Sequence, residues 1–77
     1  MEIILFTKND CEKCDYVLER IPAGLDVKVL NAEGDGLAEA AYYEILELGF
    51  PVLVVDDEIV AEGGAPVVKK LKECAGE

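Results

Sequence analysis

The sequence contains no histidine and no tryptophan, and only seven of its 77 residues are basic. Without histidine the chain cannot build Ser–His or Cys–His catalytic pairs, or any metal site that needs an imidazole ligand. No stretch approaches the roughly 20 apolar residues of a transmembrane helix. We also expect no signal peptide, because the acidic Glu2 follows Met1 directly and leads into a strand-like run.

Positive charge is scarce: 17 acidic side chains face seven basic ones, for a formal net charge of −10 at pH 7. Such a surface repels nucleic acid and anionic lipid, so we expect neither as a partner. The acidic residues are scattered, which favours a solvated surface, with attraction to a basic partner protein as the alternative. The length predicts a single domain, residues 1–77, and a monomer is the simplest expectation.

Cysteine occurs three times, so the chain cannot be a fully self-paired disulfide scaffold. We therefore expect a cytoplasmic protein whose thiols are mostly reduced. Cys74 lies at helical spacing from Leu71 and is predicted to pack as a small apolar residue, with a regulatory thiol as the alternative.

Hydrophobic patterning predicts seven elements in the order β-α-β-α-β-β-α. The predicted strands cover 2–6, 25–30, 52–55 and 58–61, and the predicted helices cover 11–21, 37–48 and a final segment that starts near Pro66. The first and third strands are apolar throughout, which indicates burial on both faces by helices. A helix between the first two strands implies a right-handed parallel crossover, and Asp56-Asp57 predicts a closing hairpin.

Several finer features follow from the same patterning. Asn9 or Asp10 is predicted to cap the first helix, and Gly49 to end the second in a left-handed conformation. The apolar positions of the first helix are Tyr16, Val17, Leu18 and Ile21. The predicted inward faces are Leu25, Val27 and Val29 in the second strand and Leu37, Ala41, Ile45 and Leu48 in the second helix.

The motif Cys11-Glu12-Lys13-Cys14 falls where the first strand passes into a helix. A helix N-terminus stabilises a thiolate, and residues three apart share a helix face, so the two sulfurs can meet. This spacing suits a redox dithiol. It also suits a zinc site, in which Cys74 and a carboxylate would complete the ligands, or an iron–sulfur cluster bridged between two subunits.

The chain resembles the thioredoxin superfamily in its minimal form, in particular glutaredoxins and small glutaredoxin-like redoxins. The resemblance rests on the Cys-x-x-Cys motif after the first strand, Phe50-Pro51 before the third strand and Gly63-Gly64 before the last helix. It implies an α/β thioredoxin fold with a four-stranded mixed sheet of order 2-1-3-4 and a cis bond between Phe50 and Pro51. It also implies a thiol–disulfide oxidoreductase with Cys11 and Cys14 as catalytic residues.

Substrate-binding positions are implied by the same resemblance. Phe50 is expected to offer main-chain hydrogen bonds to a bound substrate strand. The full implied set is Lys8, Phe50, Pro51, Gly63 and Gly64.

The sequence departs from the glutaredoxin pattern at two places. Lys13 stands where an aromatic residue is usual, and Ala65-Pro66-Val67 follows Gly64 where an acidic residue usually helps to hold glutathione. We therefore expect electrons from a flavoprotein or ferredoxin-linked reductase of the thioredoxin-reductase kind, disulfide-containing client proteins, and no bound cofactor. An interaction module without turnover is a further hypothesis, against which the intact dithiol argues.

Charges near the dithiol bear on its reduction potential. Lys8 and Lys13 favour a Cys11 thiolate, while nearby acidic side chains oppose it: Asp10, Glu12 and Asp15. Each exposed charge is worth about 1 kcal/mol at most, so these effects nearly cancel. We expect a potential nearer the roughly −270 mV of thioredoxin than the −120 mV of strong oxidants.

Overall fold

A computed structural model describes residues 1–76, so the last residue of the predicted 1–77 domain lies outside it. The seven elements follow the predicted order. The strands are β1 (Ile3–Thr7), β2 (Lys28–Asn31), β3 (Val52–Val55) and β4 (Glu58–Glu62). The helices are α1 (Glu12–Leu18), α2 (Leu37–Tyr42) and α3 (Gly64–Cys74).

The strands form one mixed sheet in the order β2-β1-β3-β4, which confirms the predicted topology. β1 runs parallel to β2 and antiparallel to β3, and β3 pairs antiparallel with β4. The turn between β3 and β4 holds Asp56 and Asp57 at φ values of 48° and 67°. Two consecutive positive φ angles are typical of a type I′ hairpin turn, whose twist matches that of the strands.

The core consists of two apolar layers on opposite faces of the sheet. Ile4 and Phe6 of β1 pack on the α2 side, while Ile3 and Leu5 pack on the side of α1 and α3. Successive side chains of a strand point to opposite faces, so a strand covered on both faces must be apolar throughout. β3 follows the same rule, with Leu53 on the α1 and α3 side and its neighbours in the strand on the other.

The start of α1 differs from the prediction. Cys11 is the N-cap, so the expectation of Asn9 or Asp10 in that position was wrong. The side-chain oxygen of Asn9 instead accepts a hydrogen bond from the amide of Asn31, and Asp10 has a positive φ of 52°. The helix also stops at Leu18, before the predicted boundary at residue 21.

The apolar face of α1 is narrower than predicted. Within the helix, Val17 is fully buried, but Tyr16 and Leu18 are 41% and 39% exposed. A helix of two turns presents only one narrow stripe to the sheet, so the flanking positions face solvent.

The predicted inward face of the second strand was wrong at Val29. The strand begins at Lys28 rather than residue 25, Val29 is 41% exposed and Leu30 is buried on the α2 side. β2 is an edge strand. Leu25 and Val27 precede it and pack, partly buried, against the core layer on the α1 and α3 side.

α2 ends after six residues, so the prediction of a helix over 37–48 was wrong. The left-handed position is Glu44, with φ 57°, rather than Gly49. The N–H of Glu44 donates to the carbonyl of Ala41, and the N–H of Ile45 donates to that of Ala40. This pair of bonds is the Schellman arrangement that ends helices.

The Schellman turn changes which residues of this segment are buried. Ala40 and Ile45 are fully buried, Leu48 is partly buried, but Leu37 is half exposed and Ala41 is exposed. The prediction of four inward residues assumed a continuous helix over residues 37–48. The turn at Glu44 ends the helix, so residues beyond it do not follow helical spacing.

α3 matches its prediction closely. Pro66 lies in the first turn, where a missing N–H costs no helical bond. Its inward residues are buried and its lysines are exposed: Val67, Val68 and Leu71 against Lys69, Lys70 and Lys72. Among residues 1–76, every helix is too short or too polar to cross a membrane.

Candidate redox site

The Cys-x-x-Cys motif lies at the carboxyl end of β1, where the chain turns into α1. Cys11 and Cys14 are joined by a disulfide, with their Cα atoms 5.2 Å apart. Cys11 is the N-cap residue in an extended conformation, with φ −120° and ψ 101°. The main-chain N–H of Cys14 donates a hydrogen bond to the Sγ atom of Cys11 at 3.1 Å. The sulfur therefore takes the place of the side-chain oxygen that usually caps a helix.

The two cysteines differ in their exposure. Cys14 is 2% exposed and belongs to the core layer on the α2 side. Cys11 is partly buried and lines an open groove of about 470 Å³. The disulfide therefore presents one sulfur to the groove and keeps the other behind it.

Charged side chains surround Cys11 in this groove. The groove is lined by Lys8, Asp10, Cys11, Glu12, Lys13, Gly49 and Phe50. Two cations and two anions thus share the groove, whereas Asp15, the third acidic residue considered in the prediction, does not line it. The ammonium of Lys8 also lies 5.7 Å from the ring centroid of Phe50, within range of a cation–π interaction.

The opposite wall of the groove is formed by the chain that enters β3. The peptide bond between Phe50 and Pro51 is cis, as the resemblance implied. Phe50 is 7% exposed and Pro51 is fully buried. Within residues 1–76, the N–H and C=O groups of Phe50 make no backbone–backbone hydrogen bond, whereas the carbonyls of its neighbours Gly49 and Pro51 both accept from the N–H of Gly63.

The double glycine lies behind this wall rather than in the groove. Gly63 has φ 88° and ψ 171°, and its N–H donates to the carbonyls of both Gly49 and Pro51. A Cβ atom built on Gly64 would lie 3.8 Å from the Cβ of Lys13. Gly63 and Gly64 therefore connect the Pro51 segment with α1, and all the residues implied by the resemblance lie in one region.

A polar network holds the loop that precedes Cys11. The N–H of Asn9 donates to the carboxylate of Glu33 at 2.7 Å, and the side-chain amide of Asn31 donates to the Asn9 oxygen at 3.0 Å. The N–H of Asn31 in turn donates to Asp35. Sequence reasoning missed this network, because Asn9 is more than 20 residues from Asn31 and Glu33 in the chain and meets them only when β1 pairs with β2.

Cys74 does not approach the dithiol. It packs against the core layer on the α1 and α3 side and lines a separate cavity with Ala23, Gly24 and Leu25. The metal-site alternative that combined all three cysteines is therefore not supported. In the described part of the chain, no cluster of three or more Cys, Asp or Glu side chains has an arrangement that could hold a metal ion.

One titratable group away from the groove is strongly perturbed. The hydroxyl of Tyr43 donates a hydrogen bond to the Asp57 carboxylate at 2.8 Å. This bond, with burial and the negative charges of Asp57 and Glu2, raises the pKa of Tyr43 from 10.0 to about 12.

Together these features define the class of the molecule: a thioredoxin-like fold with a Cys-x-x-Cys disulfide at the start of its first helix. Solved structures of the thioredoxin-like protein BC3987 share this fold. A crystal structure of a single-substitution mutant of BC3987 matches with a TM-score of 0.69 and 22% identity, over 94% of this chain and 96% of that one. Another crystal structure of BC3987 matches with a TM-score of 0.67 and 24% identity, over 91% and 99% of the two chains.

At this level of identity the likeness establishes the fold. No protein-family profile and no curated protein matches the sequence. The thioredoxin-like fold and the adjacent Cys11–Cys14 pair fit a redox role.

Proposed function

We propose that this protein is a thiol–disulfide oxidoreductase that reduces disulfides of client proteins through the Cys11–Cys14 dithiol. The observation that carries the proposal is the unequal exposure of the two sulfurs. Cys11 faces an open groove, and Cys14 is buried directly behind it. An attacking thiol must reach a client, whereas a resolving thiol needs to reach only its neighbour.

The cycle has two exchange steps. The Cys11 thiolate attacks one sulfur of the client disulfide, which forms a mixed disulfide and releases the other client sulfur as a thiolate that takes up a proton. The Cys14 thiolate then attacks the Sγ of Cys11, which forms the Cys11–Cys14 disulfide and releases the second client thiol. The client gains two electrons and two protons, and the protein dithiol loses them.

Local structure favours Cys11 as the attacking residue. The Cys14 N–H already points at the Cys11 sulfur, so a thiolate there would accept a charge-assisted hydrogen bond at the start of a helix. The free N–H and C=O of Phe50 would pair with the extended main chain of the client, in the manner of strand addition. Lys8 lies over the Phe50 ring and would contact acidic groups beside the client disulfide.

We propose a flavoprotein or ferredoxin-linked reductase, rather than glutathione, as the electron donor. The first turn of α3, which follows the double glycine, contains no acidic residue to hold a glutathione amino group. The net charge of −10 also disfavours an anionic tripeptide. Use as a reductant implies a reducing compartment, so we propose a cytoplasmic monomer with no nucleic-acid or membrane partner.

An insulin-reduction assay tests the proposal. Wild type should turn over with NADPH and a thioredoxin-reductase-type flavoprotein, and less efficiently with glutathione. Cys11→Ser should abolish turnover, and Cys14→Ser should accumulate a mixed disulfide visible on a non-reducing gel. Cys74→Ser is the matched control and should keep full activity, because Cys74 lies away from the groove.

Two results would contradict the proposal. Wild type without turnover but with stoichiometric zinc or iron would favour the metal-binding alternative. Turnover that survives Cys11→Ser and is lost in Cys74→Ser would assign the chemistry to a different thiol.

A further inference from the structure

The outer side of α2 exposes an unusual amount of apolar surface. Leu37, Tyr42 and Leu46 are 51%, 77% and 50% exposed. Ala41 lies one helical turn from Leu37 and shares a shallow cavity of about 300 Å³ with Leu46. We call Leu37, Ala41, Tyr42 and Leu46 the α2 patch. Exposed apolar side chains clustered in one short segment and rimmed by polar groups are typical of an interaction site.

The rim of the α2 patch is acidic. Glu39, Glu44 and Glu47 are exposed within and beside it, and Glu44 and Glu47 line the same cavity as Leu46. The surrounding sequence is also negatively charged: residues 29–68 contain nine of the 17 acidic residues and no lysine or arginine. This segment supplies α2, β3 and β4.

The basic residues are concentrated on the other side of the sheet. α1 and α3 pack together against the opposite core layer, and these two helices, with the turn that follows α1, carry five of the seven cations. These are Lys13, Arg20, Lys69, Lys70 and Lys72. α1 and α3 also carry Glu12, Asp15 and Glu73, so their charges are mixed, whereas every charged residue of 37–47 is acidic. The exposed apolar residues of this segment therefore lie among negative charges only.

We propose that the α2 patch docks a partner protein whose contact surface has an apolar centre surrounded by lysine and arginine. Apolar contact alone would admit many partners, but the acidic rim selects a basic one. The same rim opposes a second copy of this chain, which would bring like charges together, and it opposes anionic lipid. This proposal goes beyond the proposed function, because docking at the α2 patch requires no dithiol.

The patch is also close in sequence to the groove. Leu46 precedes Gly49 by three residues, and Gly49 and Phe50 line the groove beside Cys11. A partner docked on the α2 patch would thus lie next to the chain that forms one groove wall.

The test uses a synthetic amphipathic helical peptide with leucines on one face and lysines on the other as the probe. The peptide is titrated into isotope-labelled protein and followed by NMR. Amide shifts should concentrate in residues 37–47, and affinity should fall as salt is raised. A peptide of the same composition in scrambled order, which lacks an apolar face, should bind at least about tenfold more weakly.

Charge variants distinguish the effect of the rim carboxylates on peptide binding from the effect of the net charge. Neutralising the rim should weaken peptide binding roughly tenfold, whereas neutralising three distant carboxylates should have a much smaller effect. The rim variant is E39Q/E44Q/E47Q, and the matched control is E19Q/D26N/E73Q. Leu46→Ser should weaken binding by a comparable factor without changing the charge. Insulin reduction should be unchanged in the rim variant, because its three residues lie outside the groove.

The outcomes distinguish this proposal from the proposed function. Docking at the patch would be overturned by any of three results. These are an equal loss of peptide affinity in the rim and control variants, equal affinity for the scrambled peptide, or amide shifts outside residues 37–47. The proposal would also be overturned if sedimentation showed that the protein self-associates through the patch, or if phosphatidylserine vesicles bound there. Either result would assign the patch to an occupant other than a basic protein. Peptide binding should persist in the Cys11→Ser/Cys14→Ser variant, so a failure of the redox proposal leaves this result intact.

Discussion

The main-chain N–H of Gly63 donates a hydrogen bond to the carbonyl oxygen of Pro51 at 2.9 Å. The same N–H donates to Gly49 at 3.1 Å, so one residue before α3 holds both ends of the segment that forms a groove wall. Gly63 makes these bonds from φ 88° and ψ 171°, a conformation that is essentially restricted to glycine.

Gly63→Ala should therefore destabilise the fold by about 1–3 kcal/mol, the usual cost of such a backbone conformation for a residue with a Cβ. Gly64→Ala is the matched control. Its Cβ would make only ordinary contacts, 3.6–3.9 Å from Tyr16 and Lys13, so it should cost little. Urea unfolding of both variants checks this, and equal losses of stability would show that the conformation of Gly63 is not the cause.

Lys13→Glu should make the dithiol more reducing. Replacing a groove cation by an anion destabilises a Cys11 thiolate, which favours the disulfide and shifts the potential by roughly 20–40 mV toward negative values. Lys69→Glu is the control, since Lys69 lies on α3 outside the groove. Redox equilibration of each variant with a thiol buffer gives the potentials. Equal shifts would attribute the effect to net charge rather than to position.

Asn31→Ala should loosen the loop that precedes Cys11. The substitution removes the hydrogen bond to Asn9 and the one that the Asn31 side chain accepts from the N–H of Glu33. Both are exposed, so we expect a loss of about 1 kcal/mol in stability. Amide hydrogen exchange should quicken in residues 8–10, whereas Asp26→Ala, at an exposed position, should leave it unchanged. If the amide exchange rates of residues 8–10 do not change in Asn31→Ala, the hydrogen-bond network does not hold this loop.

Alkaline pH should weaken the fold through Tyr43. Its pKa is 10.0 ordinarily and about 12 in the folded protein, because it donates a hydrogen bond to the Asp57 carboxylate. The unfolded chain thus loses this proton at lower pH than the folded chain. The stabilisation is complete below pH 10 and is lost as the pH rises toward 12.

Tyr43→Phe should flatten this decline in stability between pH 10 and 12, and Asp57→Asn should return the tyrosine titration toward its ordinary range. Unfolding curves measured across this pH range, together with tyrosinate absorbance, check both effects. A decline that is as steep in Tyr43→Phe as in wild type would assign it to other groups.

Sequence patterning predicted best the elements whose burial does not depend on the positions of the neighbouring helices. β1 and β3 are apolar on both faces, so they must be central strands wherever the helices lie. The Asp56-Asp57 turn and the apolar spacing of α3 are likewise local features. The edge strand β2 was predicted as a strand, but its start and the inward position of Val29 were wrong, because the covered face of an edge strand depends on where the neighbouring helices pack.

The candidate site divides in a similar way. The sequence by itself determined the dithiol, because the spacing of Cys11 and Cys14 needs only one turn of helix, and the acidic charge of the chain is a matter of composition. Only the tertiary structure decided that Cys11 caps its own helix, that Gly63 bonds to Pro51 and that Asn31 holds the loop before the dithiol. The last two of these contacts join residues at least 12 positions apart in the chain, so they form only when strand pairing brings the segments together. It also decided that Leu46 is exposed beside Glu44 and Glu47, because the Schellman turn at Glu44 ends the helix early.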